Sequence, residues 1–270
     1  MKGRVLIAAG SDSGGGAGIQ ADIKTVTALG GYAATAITAL TAQNTLGVQG
    51  VMPVPLDFIE MQLVSVLSDI GADALKTGML GNAATVGRVA SVLAEHARGI
   101  PLVLDPVMVA KGGARLLDED AVDAMRRLLF PLAAVVTPNV PEAEALAGMA
   151  IPDLAALRRA GAVLLGLGLP AVLLKGGHLP GPVVTDLLMT RDGTLVLEGP
   201  HVDTRHTHGT GCTLASAVAA GLAQGRGLAE AVRRAHAYVQ AAIVAAPGLG
   251  GGHGPLGHGL TCDPARFDAV

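Results

Sequence analysis

The sequence predicts an α/β fold: a mostly parallel central sheet covered by helices on both faces. Short apolar runs alternate with longer amphipathic ones along the chain, and strands alternating with helices build sheets of that kind. Polar residues gather just after several apolar runs, where open α/β sheets bind their ligands. Half of the 270 residues are apolar but only 2% are aromatic, so Ala, Leu, Val and Gly carry the packing and suit close contact of helix on sheet. The length fits one large domain over residues 1–270, with no linker long or polar enough to divide it.

In order, residues 5–9 read as a strand, followed by a Gly-rich turn and a helix over 17–29. Residues 32–40 read as a second strand. Pro55 opens a helix to residue 70, at the first position that favours proline. Residues 74–77 are strand-like, and Asn82 caps a helix to residue 97. Residues 102–105 make a short buried strand, and Asp118 starts a helix to 129. A strand at 133–137 ends on Pro138-Asn139. A helix pair spans 142–167, then a strand at 171–175 runs into Gly176-Gly177. Residues 183–189 and 194–198 form a hairpin over Arg191-Asp192-Gly193, because Asp-Gly between apolar runs is a strong turn signal. Helices at 213–223 and 228–245 close the fold. Residues 248–259 are too Gly-rich to be regular and read as a strap, with His253 and His258 at the surface.

The net charge of −3 leaves no basic footprint for nucleic acid, and no Lys/Arg cluster marks a membrane surface. The two cysteines, Cys212 and Cys262, make neither a disulfide framework nor a zinc-type pair. The first apolar run breaks at once into Gly10-Ser11-Asp12, unlike a signal peptide. No apolar run reaches the roughly 18 to 20 residues of a membrane span. A cytoplasmic location is therefore expected.

Gly209-Thr210-Gly211-Cys212, just before a small-residue helix, is the most informative motif. Two glycines allow a tight turn close to a ligand. The helix start supplies free N–H groups and positive dipole for an anion. A cysteine there is expected to have a lowered pKa and to serve as base or nucleophile, or else to be a small core residue. Gly10 to Ala17 and Asp22 follow the first strand: a weak dinucleotide fingerprint, since the acidic residue about 20 positions on is missing, or backbone for a flat small substrate. Asp22 either accepts from an amine or hydroxyl or is a helix acid near the dipole. Gln43, with Asn44, either matches a ring nitrogen beside an amino group or makes a turn. Asp105, Asn139 and Glu142 fall at neighbouring strand ends and carry oxygens suited to Mg²⁺, or else Glu142 is a first-turn helix acid and Asp105 a turn residue before Pro106. Lys175 ends a buried strand, where it reaches a nucleotide phosphate or pairs with an acid such as Asp186.

Together, the blocks at 10–22, 41–45, 175–178 and 208–212, with the strap at 252–255, resemble the hydroxymethylpyrimidine/phosphomethylpyrimidine kinases of thiamin biosynthesis. The resemblance covers essentially the whole chain. It implies a ribokinase-like three-layer α/β/α sandwich and two successive ATP-dependent phosphorylations, of 4-amino-5-hydroxymethyl-2-methylpyrimidine and then of its monophosphate. On that resemblance, Asp22 and Gln43 would hold the amino group and ring nitrogen. Gly10, Ala17, Met79 and Val107 would wall the ring. Gly209, Thr210 and Gly211 would form the anion hole, with Cys212 as base. Asp105, Asn139 and Glu142 would organise Mg²⁺, and Lys175, Asp186 and Thr207 would lie on the nucleotide side. A homodimer is implied, and a kinase without an appended phosphate synthase domain. The alternatives are a pyridoxal kinase of the same fold and a non-catalytic nucleotide or vitamin sensor.

Overall fold

The computed structural model describes residues 2–108 and 118–262. Its first strand, β1 (Arg4–Ala9), is buried from Val5 onward. Alternate side chains point to opposite faces of a strand, and here each face meets helices. Leu6 and Ala8 join one core, and Val5, Ile7 and Ala9 join the other. A strand buried on both faces reads as a continuous apolar run, which is why this element was legible.

After α1 (Gly18–Ala28) comes β2 (Tyr32–Ile37). The single strand expected over 32–40 is two elements. At Thr38 the backbone donates to Ala9 O and the hydroxyl to Met79 O, and the chain then leaves the main sheet. It forms a separate antiparallel hairpin of β3 (Ala39–Asn44) and β4 (Gly47–Pro53). Gln43 and Asn44 thus lie at the end of a strand, and the reading of them as a turn falls away.

The chain continues through α2 (Leu56–Asp69), β5 (Ala74–Thr77), α3 (Ala83–His96), β6 (Leu102–Leu104) and α4 (Glu119–Leu128). Then follow β7 (Ala133–Val136), α5 (Val140–Ala147), α6 (Leu154–Gly166), β8 (Ala171–Leu174), β9 (Val183–Thr190), β10 (Gly193–Pro200), α7 (Thr210–Ala223) and α8 (Leu228–Val244). Two helix starts carry the caps expected of their residue types: Asn82 accepts from Thr85 N at 2.9 Å, and Asp153 from Ala156 N at 2.7 Å. The main sheet has the order β10-β9-β8-β7-β6-β5-β1-β2. β2, β1, β5, β6, β7 and β8 run parallel, and the β9–β10 hairpin is antiparallel. Helices α2 to α6 pack on one face, and α1, α7 and α8 on the other. The architecture is therefore the expected α/β/α sandwich. Among the described residues, no helix is long and apolar enough to cross a membrane.

Residues 248–259 run irregularly, as expected, and are held at defined points. His253 N donates to Thr45 O, and His208 pairs with Pro255 in an isolated bridge. His253 is exposed, but His258 is buried, with Nε2 2.9 Å from Thr213 Oγ1. Burial pushes the His258 pKa down to about 4. Expecting a surface histidine here failed because local glycine content does not reveal that the strap folds back on α7 and α8.

The α7–α8 contact depends on small residues. A Cβ on Gly221 would lie 2.6 Å from Ala231 Cβ and 3.0 Å from its Cα. Alanine gains about 1 kcal/mol over glycine in a helix interior, but overpacking against backbone costs about 1–3 kcal/mol, so the steric cost wins. Gly221→Ala should lower the Tm. Gly87→Ala in α3, with its nearest neighbour at 3.9 Å, should raise stability by about 0.5–1 kcal/mol. Thermal and denaturant unfolding of the two variants checks the opposite signs.

Candidate active site

The six parallel strands bring their carboxyl ends to one edge of the sheet, and a cavity of about 1090 Å³ lies along it. From the β1 end the lining includes Gly10, Ala17, Gln43, Met79 and Val107. Asp105, Asn139, Glu142 and Lys175 follow the next strand ends, and Asp186, Pro200 and Val239 line the β9–β10 side. Gly209 to Cys212 at the start of α7 also line it, as does Thr207. All the residues singled out from the sequence reach this cavity except Asp22.

Gly209 has φ 83°, where side-chain-bearing residues are rare, and a Cβ on it would collide with the Gly16 carbonyl oxygen. The Gly-Thr-Gly-Cys turn is thereby pressed directly onto the first Gly-rich loop. Helix α7 begins at Thr210, earlier than expected. Thr213 N donates to Gly209 O at 2.9 Å, while Thr210 donates to Thr207 O through both its N–H and its hydroxyl. The N–H groups of Gly211 and Cys212 have no intrahelical acceptor. A Cβ on Gly211 would sit 3.1 Å from Lys175 Nζ, so this glycine keeps room between the helix start and a cation.

Cys212 sits half-buried in the first turn of α7. Its expected low pKa is corrected. Burial pushes the thiol up to about 11; Lys76 opposes the shift, while Asp22 and Asp105 add to it. Desolvation of the thiolate outweighs the nearby Lys76 charge here.

Asp22 is also corrected. It is fully buried and does not face the cavity. Its oxygens accept from Lys76 Nζ at 3.0 Å each, and Oδ1 accepts from Ser216 Oγ at 2.7 Å. Lys76, which the sequence reading missed, has 0% side-chain exposure yet lines the cavity floor. Burial opposes its charge, but Asp22, with Cys212 and Asp105, outweighs it and raises the pKa. The available signal was a lysine inside the short strand Ala74–Thr77, since buried lysines are almost always paired.

Asp105 Oδ1 accepts from Thr137 Oγ1 and from Lys175 Nζ, each at 3.0 Å, and its Oδ2 faces Gly211. Lys175 Nζ lies 3.7 Å from Glu142 Oε2. Burial works against the Lys175 charge, but Asp105 and Glu142 outweigh it and raise its pKa. Asp186 is not its partner; it accepts from Gly176 N at 2.8 Å, and burial raises its pKa. Asn139 and Glu142 form a capping box on α5: Glu142 N donates to Asn139 Oδ1 at 2.9 Å, and Asn139 N to Glu142 Oε2 at 2.8 Å. Asn139 Oδ1 and Glu142 Oε2, two of the three expected metal-ligating groups, thus each already accept a hydrogen bond at the start of α5. Burial pushes Glu142 up to about 7, with Lys175 opposing and Asp105 adding to the shift. Among the described residues, no cluster of three His, Cys, Asp or Glu side chains is arranged to hold a metal.

The Gly-rich loop does not offer all its N–H groups to a ligand. Asp12 accepts from the N–H groups of Gly14, Gly16 and Ala17 at 2.8–3.0 Å, and its Oδ2 lies 2.8 Å from His208 Nε2. Burial would raise the Asp12 pKa, but His208 and these N–H groups bring it below the usual carboxylate range.

A parallel sheet whose strand ends carry lysines and carboxylates, facing a glycine turn at a helix start, defines a small-molecule kinase of the ribokinase-like class. The chain belongs to the phosphomethylpyrimidine kinase family, whose model matches residues 12–257. It is 52% identical over 265 residues to the thiamine biosynthesis bifunctional protein ThiED of Geobacter sulfurreducens, covering 98% of this chain but spanning only 54% of that protein. It is 51% identical to the hydroxymethylpyrimidine/phosphomethylpyrimidine kinase of Streptomyces coelicolor, over 94% of both chains. Among solved structures, the ADP complex of Bacillus subtilis pyridoxal kinase matches with TM-score 0.90 at 37% identity, covering 97% of this chain and 100% of that one. The phosphomethylpyrimidine kinase of Clostridium difficile 630 matches with TM-score 0.78 at 39% identity, covering 88% and 98%.

The Lys76–Asp22 pair yields a stability prediction. Removing one partner of a fully buried pair costs about 3–5 kcal/mol, whereas replacing both with apolar residues is often near neutral. Asp22→Asn should lower stability by that order. The double variant Asp22→Leu/Lys76→Met should recover most of it, as read by denaturant unfolding.

Proposed function

We propose that this chain transfers the γ-phosphoryl group of ATP to 4-amino-5-hydroxymethyl-2-methylpyrimidine, and then a second one to the monophosphate, making the diphosphate for thiamin biosynthesis. One observation carries the reading: the Gly209–Cys212 turn, whose Gly211 and Cys212 N–H groups have no intrahelical acceptor, lines a single cavity. One end of that cavity holds Gln43, Met79 and Val107, and the other extends to β9 and β10. Two substrates placed end to end would meet at that turn. The family and the named relatives support the same activity.

In this reading Gln43 reads the amino group and ring nitrogen, while Gly10, Ala17, Met79 and Val107 enclose the ring. Lys175, Asp186 and Thr207 lie toward the nucleotide. The hydroxymethyl oxygen attacks the γ-phosphorus as the bond to the ADP oxygen breaks, and the hydroxyl proton passes to the Cys212 thiolate. Phosphoryl transfer has a loose transition state, so positioning and charge stabilisation matter most. The Gly209–Gly211 turn and Lys175 supply the positive field for the transferred group. The second acceptor is an already ionised phosphate and needs no base.

Asp105 and Glu142 fit Mg²⁺ held with waters and phosphate oxygens: they are hard oxygen donors, two carboxylates facing one lysine. When bound, the ion would offset the negative charge of the phosphates. We further propose a single catalytic domain and a homodimer. Val51 and Met52 on the hairpin and Phe58 and Met61 on α2 are exposed apolar residues that a second copy would cover. The likeness to pyridoxal kinases favours side activity on pyridoxal, whose ring nitrogen and hydroxymethyl group suit the same end. The intact Cys212, Lys175 and Glu142 argue against a non-catalytic sensor.

A coupled ATP assay with the pyrimidine alcohol, its monophosphate and pyridoxal separates these readings; no turnover of the first two would overturn this one. Cys212→Ala should slow the first phosphorylation by about 10²- to 10⁴-fold and the second only slightly. Equal losses would remove Cys212 as the base. Because the thiol pKa stands at about 11, the reactive thiolate grows with pH. The first-step rate should therefore climb by up to about tenfold per pH unit above neutrality, and Cys212→Ala should lose that climb.

A further inference from the structure

A side-chain amide recognises a ring edge only if its oxygen and nitrogen are held the right way round, and they are told apart by their hydrogen-bond partners. The two terminal atoms of the Gln43 amide have two neighbours. One lies 3.2 Å from His208 Nε2, and the other 3.3 Å from Thr41 Oγ1.

Proton counting decides the orientation. Asp12 accepts three backbone N–H groups, which favour its ionised form. The contact of 2.8 Å between its Oδ2 and His208 Nε2 therefore needs the proton on Nε2, because a carboxylate only accepts. A second group facing that Nε2–H must be an acceptor too. At the other end, Thr41 Oγ1 donates its one proton to Ser11 O at 2.9 Å, so toward Gln43 it only accepts. An amide with nitrogen toward His208 and oxygen toward Thr41 would set donor against donor and acceptor against acceptor. A half-turn of the amide satisfies both.

We infer that Asp12–His208 and Ser11–Thr41 together lock the Gln43 amide with Oε1 toward His208 and Nε2 toward Thr41, making His208 and Thr41 positioning residues for substrate specificity. The inference rests on the reading that Gln43 meets the ring. A 4-aminopyrimidine edge offers a ring acceptor beside an amino donor. Its 4-oxo counterpart offers a ring N–H donor beside a carbonyl acceptor, the reverse pattern. A freely turning amide accepts either edge, and a locked one accepts only one. The partners come from the first loop, the hairpin and the approach to α7, so the lock exists only in the folded chain.

The test compares kcat/KM for the 4-amino and 4-oxo pyrimidine alcohols in wild type, Gln43→Ala, His208→Leu, His208→Gln and Thr41→Val. Wild type should prefer the 4-amino substrate strongly. His208→Leu and Thr41→Val should each cut that preference by about tenfold, the effect of one hydrogen bond. The KM for ATP should stay unchanged, and His208→Gln, which keeps an N–H donor, should restore part of the preference. If His208→Leu does not fold, the isosteric Thr41→Val decides alone. If Gln43→Ala abolishes the preference while the folded His208 and Thr41 variants keep it, Gln43 reads the ring but the lock is wrong. If Gln43→Ala keeps the preference, the reading of Gln43 fails and the lock with it.

Discussion

A lysine ammonium with no exposed surface sits beneath the cavity, and much of the site depends on its compensation. Lys76 comes from β5, Asp22 from α1 and Ser216 from α7, so one ionic cluster ties the sheet to two helices on its far face. An isolated charge there would cost several kcal/mol, which fixes where α1 and α7 sit relative to the strand ends. The start of α7 carries the Gly209–Cys212 turn, so its position relative to Asp105 and Lys175 follows from this pair. Lys76 is also the group that most opposes the upward shift of the Cys212 pKa.

The rest of the cavity shows the same economy of charge. Lys175 stands between Asp105 and Glu142, which leaves one cation for two buried carboxylates. Burial, with Asp105 adding to it, raises Glu142 to about 7 even though Lys175 opposes the shift. A site short of positive charge without its ligands is suited to a nucleotide that brings a cation with its phosphates. Glu142 also accepts from Asn139 N at the start of α5, so the carboxylate is held by the helix whose start it stabilises.

Close backbone approach is the other constraint. A side chain at Gly209 would strike Gly16, and one at Gly18 would strike the Gly10 carbonyl. The two Gly-rich segments, nearly two hundred residues apart, are thus fitted to each other, with Asp12 and His208 bonded across the junction. The glycines of the first loop serve this contact and the Asp12 cradle at least as much as they serve a ligand.

Most of the architecture was legible because each strand buried on two faces is a continuous apolar run, and some helices carry their own start signals, such as Pro55 and Asn82. The gathering of Asp105, Glu142 and Lys175 at one edge was legible too, because the carboxyl ends of parallel strands share an edge, whereas Gln43 reaches the cavity from the separate hairpin. The hairpin after Thr38 was not, since an apolar run does not record which sheet its strand joins. Nor were the buried environment of His258, the ion partner of Asp22 and the raised pKa of Cys212, because burial and charge partners come from residues far apart in sequence. The sequence by itself determined the order of the elements, the strand ends on which polar groups fall and the chemistry that those groups carry. Only the tertiary structure decided which of them face the cavity, which neutralise one another beneath it and in which protonation state they stand, since desolvation and Coulomb interactions act through space rather than along the chain.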